Sequence, residues 1–424
     1  MVRTLALLLL MITAAEVAAA EKATSAHWPR WRGGGDDGAA SKGTYAVKWN
    51  ATKGLAWKVP LPGKGCSTPI VRADHIILTA PVDGHDAVLA FDWSGKRLWQ
   101  TPIGREVPGK HRNGSGSNPS AVTDGEQIFA CYKSGNLAAL DYDGKILWKL
   151  NLVERFGKGK LYWDFGTSPI LTETDVVMAI LHEGESYLAA FDQQAGELSW
   201  YVSRNYKTPT EGDHGYASPI LIDHRDTKAV MVWGAERLTA HDVGSGKLLW
   251  SCANFNPEQK RNWVTVASPT ISGNMAIVPY GRGSRIAGIR LGGSGDVTKT
   301  HRSWTRTDTG SFVPTPAAQD GKVYLLRDRG EVECIDASSG KTLWKDQLPK
   351  HRASYYASPT IADGKLYAAR EDGVVFVAAV AGKFAVLSEN NMGERVIASP
   401  VPVADRILIR GEKHLFCVAP PATD

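Results

Sequence analysis

Leu137-Ala138-Ala139-Leu140-Asp141-Tyr142-Asp143-Gly144-Lys145-Ile146-Leu147-Trp148 is the stretch on which the fold turns. An apolar run ends in aspartate, a tight turn carries Gly-Lys, and a second apolar run ends in tryptophan. Short runs divided by Asp/Asn/Gly turns form antiparallel hairpins. The aspartate accepts bonds from N–H groups of the turn, and glycine supplies its left-handed position. The unit recurs in Leu89–Asp92 with Gly95–Trp99, Thr239–Asp242 with Gly246–Trp250, and Cys334–Asp336 with Gly340–Trp344. Ala189–Asp192 repeats its first half.

Upstream of each unit stands a small residue followed by proline: Thr68-Pro69, Asn118-Pro119, Ser168-Pro169, Ser218-Pro219, Ser268-Pro269, Thr315-Pro316, Ser358-Pro359 and Ser399-Pro400. The prolines are 50, 50, 50, 50, 47, 43 and 41 residues apart. Between pair and aspartate lie two further strand patterns, such as Ile220-Leu221-Ile222 and Val323-Tyr324-Leu325-Leu326. Each copy is thus four short strands. One such sheet cannot cover both its faces, whereas copies stacked radially cover one another. The predicted fold is all-β: an eight-bladed β-propeller of four-stranded antiparallel blades.

The last copy stops after Leu415–Val418, one strand short. Gly54–Leu61 near the other end reads as an orphan fourth strand and is predicted to complete that blade, so that the N-terminal strand closes the ring. The propeller then spans 54–419, preceded by an extended segment, 21–53, and followed by a tail, 420–424. The recurrent tryptophans are read as docking one blade on the next. Two copies are degenerate: Ile286–Arg290 lacks the aspartate and Phe384–Leu387 lacks the tryptophan.

These residues resemble the pyrroloquinoline-quinone (PQQ) type of propeller repeat, with its Ala-x-Asp…Gly-Lys…Trp signature, over about residues 50–419. Trp28–Gly34 is similar to the opening of exported BamB-like propellers. The resemblance implies one of two functions. One branch holds quinoprotein dehydrogenases, which carry PQQ and calcium on the axis and a vicinal cysteine disulfide; this chain has no Cys-Cys pair. The other branch holds non-enzymatic scaffolds, to which this chain is closer in size. The expectation is a non-catalytic binding or scaffold module, with no cofactor, and with a PQQ/calcium oxidoreductase as the alternative. No calcium ligand or catalytic aspartate is matched residue by residue.

Segments that carry the chain from an outer strand to the next inner strand return to the axis. They lie just before each small-residue–proline pair and are rich in polar and aromatic residues: Lys64, Arg112 and Asn113, Trp163 and Asp164, Asp213 and His214, Asn262 and Trp263, Arg352, and Glu394 and Arg395. Convergent polar groups in a concavity form a ligand-site pattern. The expectation is an axial pocket with more positive than negative charge, in which Arg112, Arg352 and Arg395 grip carboxylates or phosphates and Trp163 or Trp263 stacks on a flat ligand or sugar. The alternative is that these groups only hold the blades in register. Gly281–Ser284 reads as a hairpin turn, His182-Glu183 as a surface pair, and Asp36-Asp37 as part of a flexible segment.

The 424 residues carry a formal charge of +5 with both signs interspersed, which gives no stripe for nucleic acid. Met1-Val2-Arg3, the run Leu5–Ile12 and Ala18-Ala19-Ala20 read as a signal peptide, 1–20, for export to the periplasm or beyond. No later stretch is apolar enough for a membrane span. The expected partners are envelope proteins or a small polar ligand or glycan, bound by a monomer. Five widely spaced cysteines read as small buried hydrophobes, with a disulfide left open.

Overall fold

The structure, a computed structural model, describes residues 26–40 and 43–419. The signal-peptide and tail expectations fall outside those residues. Eight antiparallel sheets follow one another around an axis. Blade 1 is Ile70–Arg72, His75–Val82, His85–Phe91 and Arg97–Arg105, running from the axis outward. Blades 2 to 7 cover 122–151, 170–203, 220–252, 270–306, 317–347 and 360–391. Blade 8 takes Val401–Val403, Arg406–Arg410 and His414–Val418 from the end of the chain, and its fourth strand is Leu55–Pro60. Leu55 pairs with Val418 and Val59 with Leu415, as the orphan-strand reading requires.

Second and third strands are apolar on both sides because each blade lies between two others. Val176–Ala179 and Leu188–Phe191 are fully buried, whereas the fourth strand Ile146–Asn151 alternates between exposed and half-buried. Two sets of polar bonds fix the stacking of these apolar faces.

The outer set is made by the tryptophans. Five indoles lie over the glycine of the third hairpin in the next blade, and each donates to the carbonyl one residue past its aspartate. Trp57 bonds Trp93 O at 2.9 Å, Trp99 bonds Tyr142 O at 2.7 Å, Trp148 bonds Gln193 O at 2.7 Å, Trp200 bonds Val243 O at 2.8 Å and Trp304 bonds Ala337 O at 3.0 Å. Glycine is required beneath the ring: Gly144 has φ +83°, and a Cβ there would lie 2.6 Å from Trp99 Cδ2.

The inner set is a belt of side-chain oxygens. The Thr68 N–H donates to Ser120 Oγ, Ser120 to Ser168, Ser168 to Ser218, Ser218 to Ser268, Ser268 to Thr315 and Thr315 to Ser358, at 2.9–3.0 Å. Ser399 donates to Thr68 Oγ1 at 3.3 Å across the closure. The belt also corrects the repeat in blade 2. Ser120, not Asn118, holds the equivalent place, and Asn118-Pro119 sits two residues upstream in the linker.

The two degenerate copies show what the pattern is for. Blade 5 lacks the aspartate turn, and the indole N–H of Trp250, which would have used it, is buried without a partner. In place of that turn an insertion brings Gly295–Asp296 parallel to Trp250 and Ser251, extending the outer edge of blade 4. In blade 7, Ser388 stands where other blades have tryptophan, and its hydroxyl donates to Val47 O. Trp49 enters that gap from the N-terminal segment, 4% exposed among the apolar residues of blades 7 and 8.

The segment before the propeller is not the flexible strap expected for Asp36-Asp37. Residues 26–40 plug the axis. His27 and Trp28 pair with Arg72 and Val71 of the innermost strand of blade 1. Pro29 O accepts from Thr123 N, Asp37 O from Ala318 N, and Gly38 O from Ile361 N. The plug thereby touches blades 1, 2, 6 and 7. Arg32, 3% exposed, donates through Nη2 to Pro316 O at 3.2 Å and Pro359 O at 2.9 Å.

Trp200→Phe should destabilise the fold more than Trp250→Phe by about 1 kcal/mol, because only the first loses a hydrogen bond. Guanidinium unfolding of the two variants checks this, and equal losses would remove the indole bond from the account. Trp49→Ala is expected to cost about 3–5 kcal/mol by the same measurement, the range for emptying a buried tryptophan site. A loss under 1 kcal/mol would mean the segment lies loosely on blades 7 and 8.

Candidate functional site

In each blade the first and third hairpins turn at one face of the ring, and the second hairpin and the inter-blade linkers at the other. The plug fills the axis near the first face. Above it, on the linker face, the channel opens into a cavity of about 370 Å³, within the range for small-molecule sites. Trp31 of the plug borders it, as do belt residues Thr68, Ser120, Ser168, Ser358 and Ser399. Its walls are largely apolar and aromatic: Trp163, Tyr216, Phe312 and Tyr356, with Val266, Val313 and Ile397.

Of the residues expected there, Asn113, Trp163 and Asp164 line the cavity. Trp163 is 41% exposed and stands edge-on to His111, with ring centres 4.9 Å apart. Its neighbour Tyr162 is 61% exposed and edge-on to it. The Trp163 N–H donates to the Tyr216 hydroxyl at 2.9 Å, which fixes the loop to the next linker. Asp164 faces inward but serves the fold: it accepts from the Lys110 and His111 N–H groups and from Lys133 Nζ at 2.7 Å. Burial opposes its charge, yet the bonds from His111, Lys133 and Lys110 win and hold its carboxyl below the usual range.

The cationic pocket is not formed. Arg112, Arg352 and Arg395 do not line the cavity. Instead Lys64, Arg112, Asn113 and Arg395 gather beside it around Glu371. Glu371 Oε2 lies 3.6 Å from Arg112, 3.2 Å from Asn113 Nδ2 and 3.2 Å from Arg395, and Arg395 also donates to Asn113 Oδ1. Lys64 Nζ donates to Arg112 O at 2.5 Å and lies 3.5 Å from Glu412. Linkers bring the three cations and second hairpins bring the two acids, Glu371 and Glu412, so the cluster is compensated in part and ties blades 1, 7 and 8 together.

The others are dispersed for local reasons. Glu394 accepts from the Lys413 and His414 N–H groups and lies 2.6 Å from His414 Nδ1, holding the second hairpin of blade 8. His214 is buried, and its carbonyl accepts from Thr265 N. Asn262 has φ +63°; its N–H donates to Thr210 O, and its carbonyl accepts from Arg282 Nη1 at 3.0 Å. Trp263 borders a separate crevice of about 20 Å³, with Lys260 and Arg285 over its ring at 5.5 and 5.2 Å. Asp213 is half-buried and Arg352 exposed, both outside the cavity wall. His182 is buried, not a surface group; its Nδ1 lies 2.7 Å from Glu183 O.

Arg282 is the cation that does line the cavity, 4.5 Å over the ring of Phe312. Like Glu371, it lies in a second hairpin, a part of the face that the linker argument left out. Trp31 was missed because the plug was read as lying outside the ring.

Cys66 also borders the cavity, half-buried, with Sγ 3.3 Å from Asn113 O. Burial raises its thiol pKa, against the opposing charges of Arg410 and Lys64. Cys131, Cys252, Cys334 and Cys417 are buried in strands, and all five thiols are free. Asp164 is the single carboxylate on the cavity wall, and its oxygens are already engaged. Among the described residues no group of three or more His, Cys, Asp or Glu is placed to hold a metal ion. The donor set therefore does not fit a quinone–calcium pair.

A family model described as outer membrane protein assembly factor BamB matches residues 38–227 and 298–408. The interval between them holds the outer three strands of blade 4 and the first three strands of the degenerate blade 5. Outer membrane protein assembly factor BamB of Yersinia pestis is 22% identical over 326 residues, 75% of this chain and 75% of that protein. The crystal structure of BamB from Moraxella catarrhalis matches with a TM-score of 0.61 at 16% identity, covering 86% of this chain and 99% of that one. Quinohemoprotein alcohol dehydrogenase from Comamonas testosteroni matches with a TM-score of 0.67 at 14% identity, covering 95% and 82%. Likeness at such identities speaks for the fold alone. The family match over both halves of the ring goes further: this chain belongs to the BamB family of PQQ-type β-propellers.

Proposed function

We propose that the protein is an exported, non-catalytic binding module that engages another envelope protein through its linker face. The carrying observation is the exposed Tyr162–Trp163 pair at the edge of a cavity whose wall includes the rings of Trp31, Trp163, Tyr216, Phe312 and Tyr356. Large aromatic residues beside a recess that admits a side chain are the usual anchors of protein interfaces. The ion pairs of Arg112 and Arg395 with Glu371 support the same reading, because they leave Arg282, stacked on Phe312, as the cation on the cavity wall. Membership of a family named for outer membrane protein assembly supports a partner in the envelope. Among the described residues no helix is long and apolar enough to cross a membrane.

A photoreactive residue at Trp163, with one at Leu343 on an outer strand as control, tests the proposal in the cell of origin. The expected result is an adduct to one defined envelope protein from position 163, lost with Tyr162→Ala. Equal adducts from both positions would sink it. Stoichiometric binding of PQQ with calcium, together with dye-linked alcohol oxidation, would do the same.

Cys66 gives a second readout. Iodoacetamide should label the folded protein at Cys66 before the other four cysteines. With the thiol pKa raised above its ordinary value of 9.0, the rate should keep climbing beyond pH 9, because only the thiolate reacts. Peptide mapping across pH 7–11 reads both, and a plateau below pH 9 would contradict the burial argument. Bound partner should slow this labelling.

A further inference from the structure

On the wall of the cavity above Trp31, the carboxylate and carboxamide oxygens already have donors. Asp164 is met by two N–H groups and by Lys133, and its side chain is 2% exposed. Asn118 Oδ1 accepts from the Ser115 N–H and hydroxyl, and Asn113 Oδ1 accepts from Arg395. What the wall has left to give is protons. Thr68, Ser120, Ser168 and Ser358 each accept a backbone N–H through the side-chain oxygen, so each hydroxyl still has its proton to place. The Tyr216 hydroxyl is in the same state, since it accepts from the Trp163 N–H.

Arg282 adds charge to that donor set. It is exposed, and its guanidinium lies 4.5 Å over the ring of Phe312, with both residues on the cavity wall. Nη1 donates to Asn262 O at 3.0 Å, while Nε and Nη2 have no acceptor among the described residues. The acids of the neighbouring segments are engaged elsewhere: Glu258 pairs with Lys260 and Arg285, and Glu236 accepts from Asn256 Nδ2. Arg282 and Phe312 also border the crevice of about 20 Å³ at Trp263, which has room for water alone.

The cavity itself has ample room. About 370 Å³ lies among Trp163, Tyr216, Phe312 and Tyr356, with Trp31 of the plug beside them. Aromatic rings favour offset or edge-on ring neighbours, which a flat guest supplies. A cationic guest would be repelled by Arg282, and a neutral one would leave the guanidinium without a counter-charge. A carboxylate meets it with two oxygens in the geometry of its own donors. One cation on the wall matches one carboxylate.

We infer that the cavity binds a free aromatic monocarboxylic acid, with its carboxylate on Arg282 and its ring among Trp163, Tyr216 and Phe312. This goes beyond the partner reading and does not rest on it, because the wall holds a small acid whether or not a protein covers the mouth.

Isothermal titration of the whole mature protein with naphthoate, and with naphthamide as its neutral isostere, tests the inference. The acid should bind at a single site and about tenfold more tightly than the amide, the gain from one charge-assisted contact. Arg282→Gln should erase that difference by weakening the acid and leaving the amide unchanged. In crystals, bromonaphthoate should give an anomalous bromine peak inside the cavity. Equal affinities for acid and amide overturn the inference. So does an acid preference that survives Arg282→Gln, a bromine peak elsewhere, or no saturable binding of the acid at millimolar concentration. If the variant does not fold, the acid–amide comparison and the bromine position still decide on the unaltered protein. A protein adduct at position 163 without acid binding would remove this inference and leave the partner reading standing.

Discussion

The indole of one blade must find a backbone carbonyl in the next. This reach across a purely apolar boundary gives the ring its fixed spacing. Stacked sheets of valine, isoleucine and alanine would adhere in many offsets, since burial is non-directional. A hydrogen bond from Trp148 to Gln193 O, with the ring lodged over Gly196, permits one offset. The belt of hydroxyl oxygens repeats the constraint nearer the axis. Five of the eight junctions are therefore pinned at two radii, and the apolar faces between the pins need only be of the right volume.

The repeat was legible because one physical problem is solved eight times and leaves the same residues behind. The small-residue–proline pair recurs eight times, so counting it yields the blade number, and the missing strand of the last copy points to Leu55–Pro60. Register inside a linker left no such trace. Asn118-Pro119 mimics the pair that Ser120 actually forms, because a linker residue two positions upstream can share the same composition. Trp49 was opaque for a related reason: it stands in for Ser388 in space and nearly 340 residues away in sequence.

The candidate site was legible only in part. Knowing that linkers return to the axis brought Asn113, Trp163 and Asp164 to the cavity. It overestimated the arginines, because the linker reading left out the acid that meets them. Glu371 comes from a different hairpin and absorbs both Arg112 and Arg395. A cation's availability depends on its neighbours in three dimensions, and a linear pattern of charge overstates it. Apolar lining residues such as Phe312 and Tyr356 looked like ordinary linker residues until the ring placed them side by side.

The plug has a consequence for the order of assembly. Residues 26–40 run along the axis and bond to the inner strands of blades on opposite sides, while the closing strand follows directly after them in the chain. A finished ring would have to be threaded by its own leading end. The simpler course is for the blades to gather around this segment as an axle, with the hairpin Arg406–Val418 drawn in last against Leu55–Pro60. Until then the protein is an open arc with two bare edges. Closing it joins partners from opposite ends of the chain, the kind of distant pairing that retards folding.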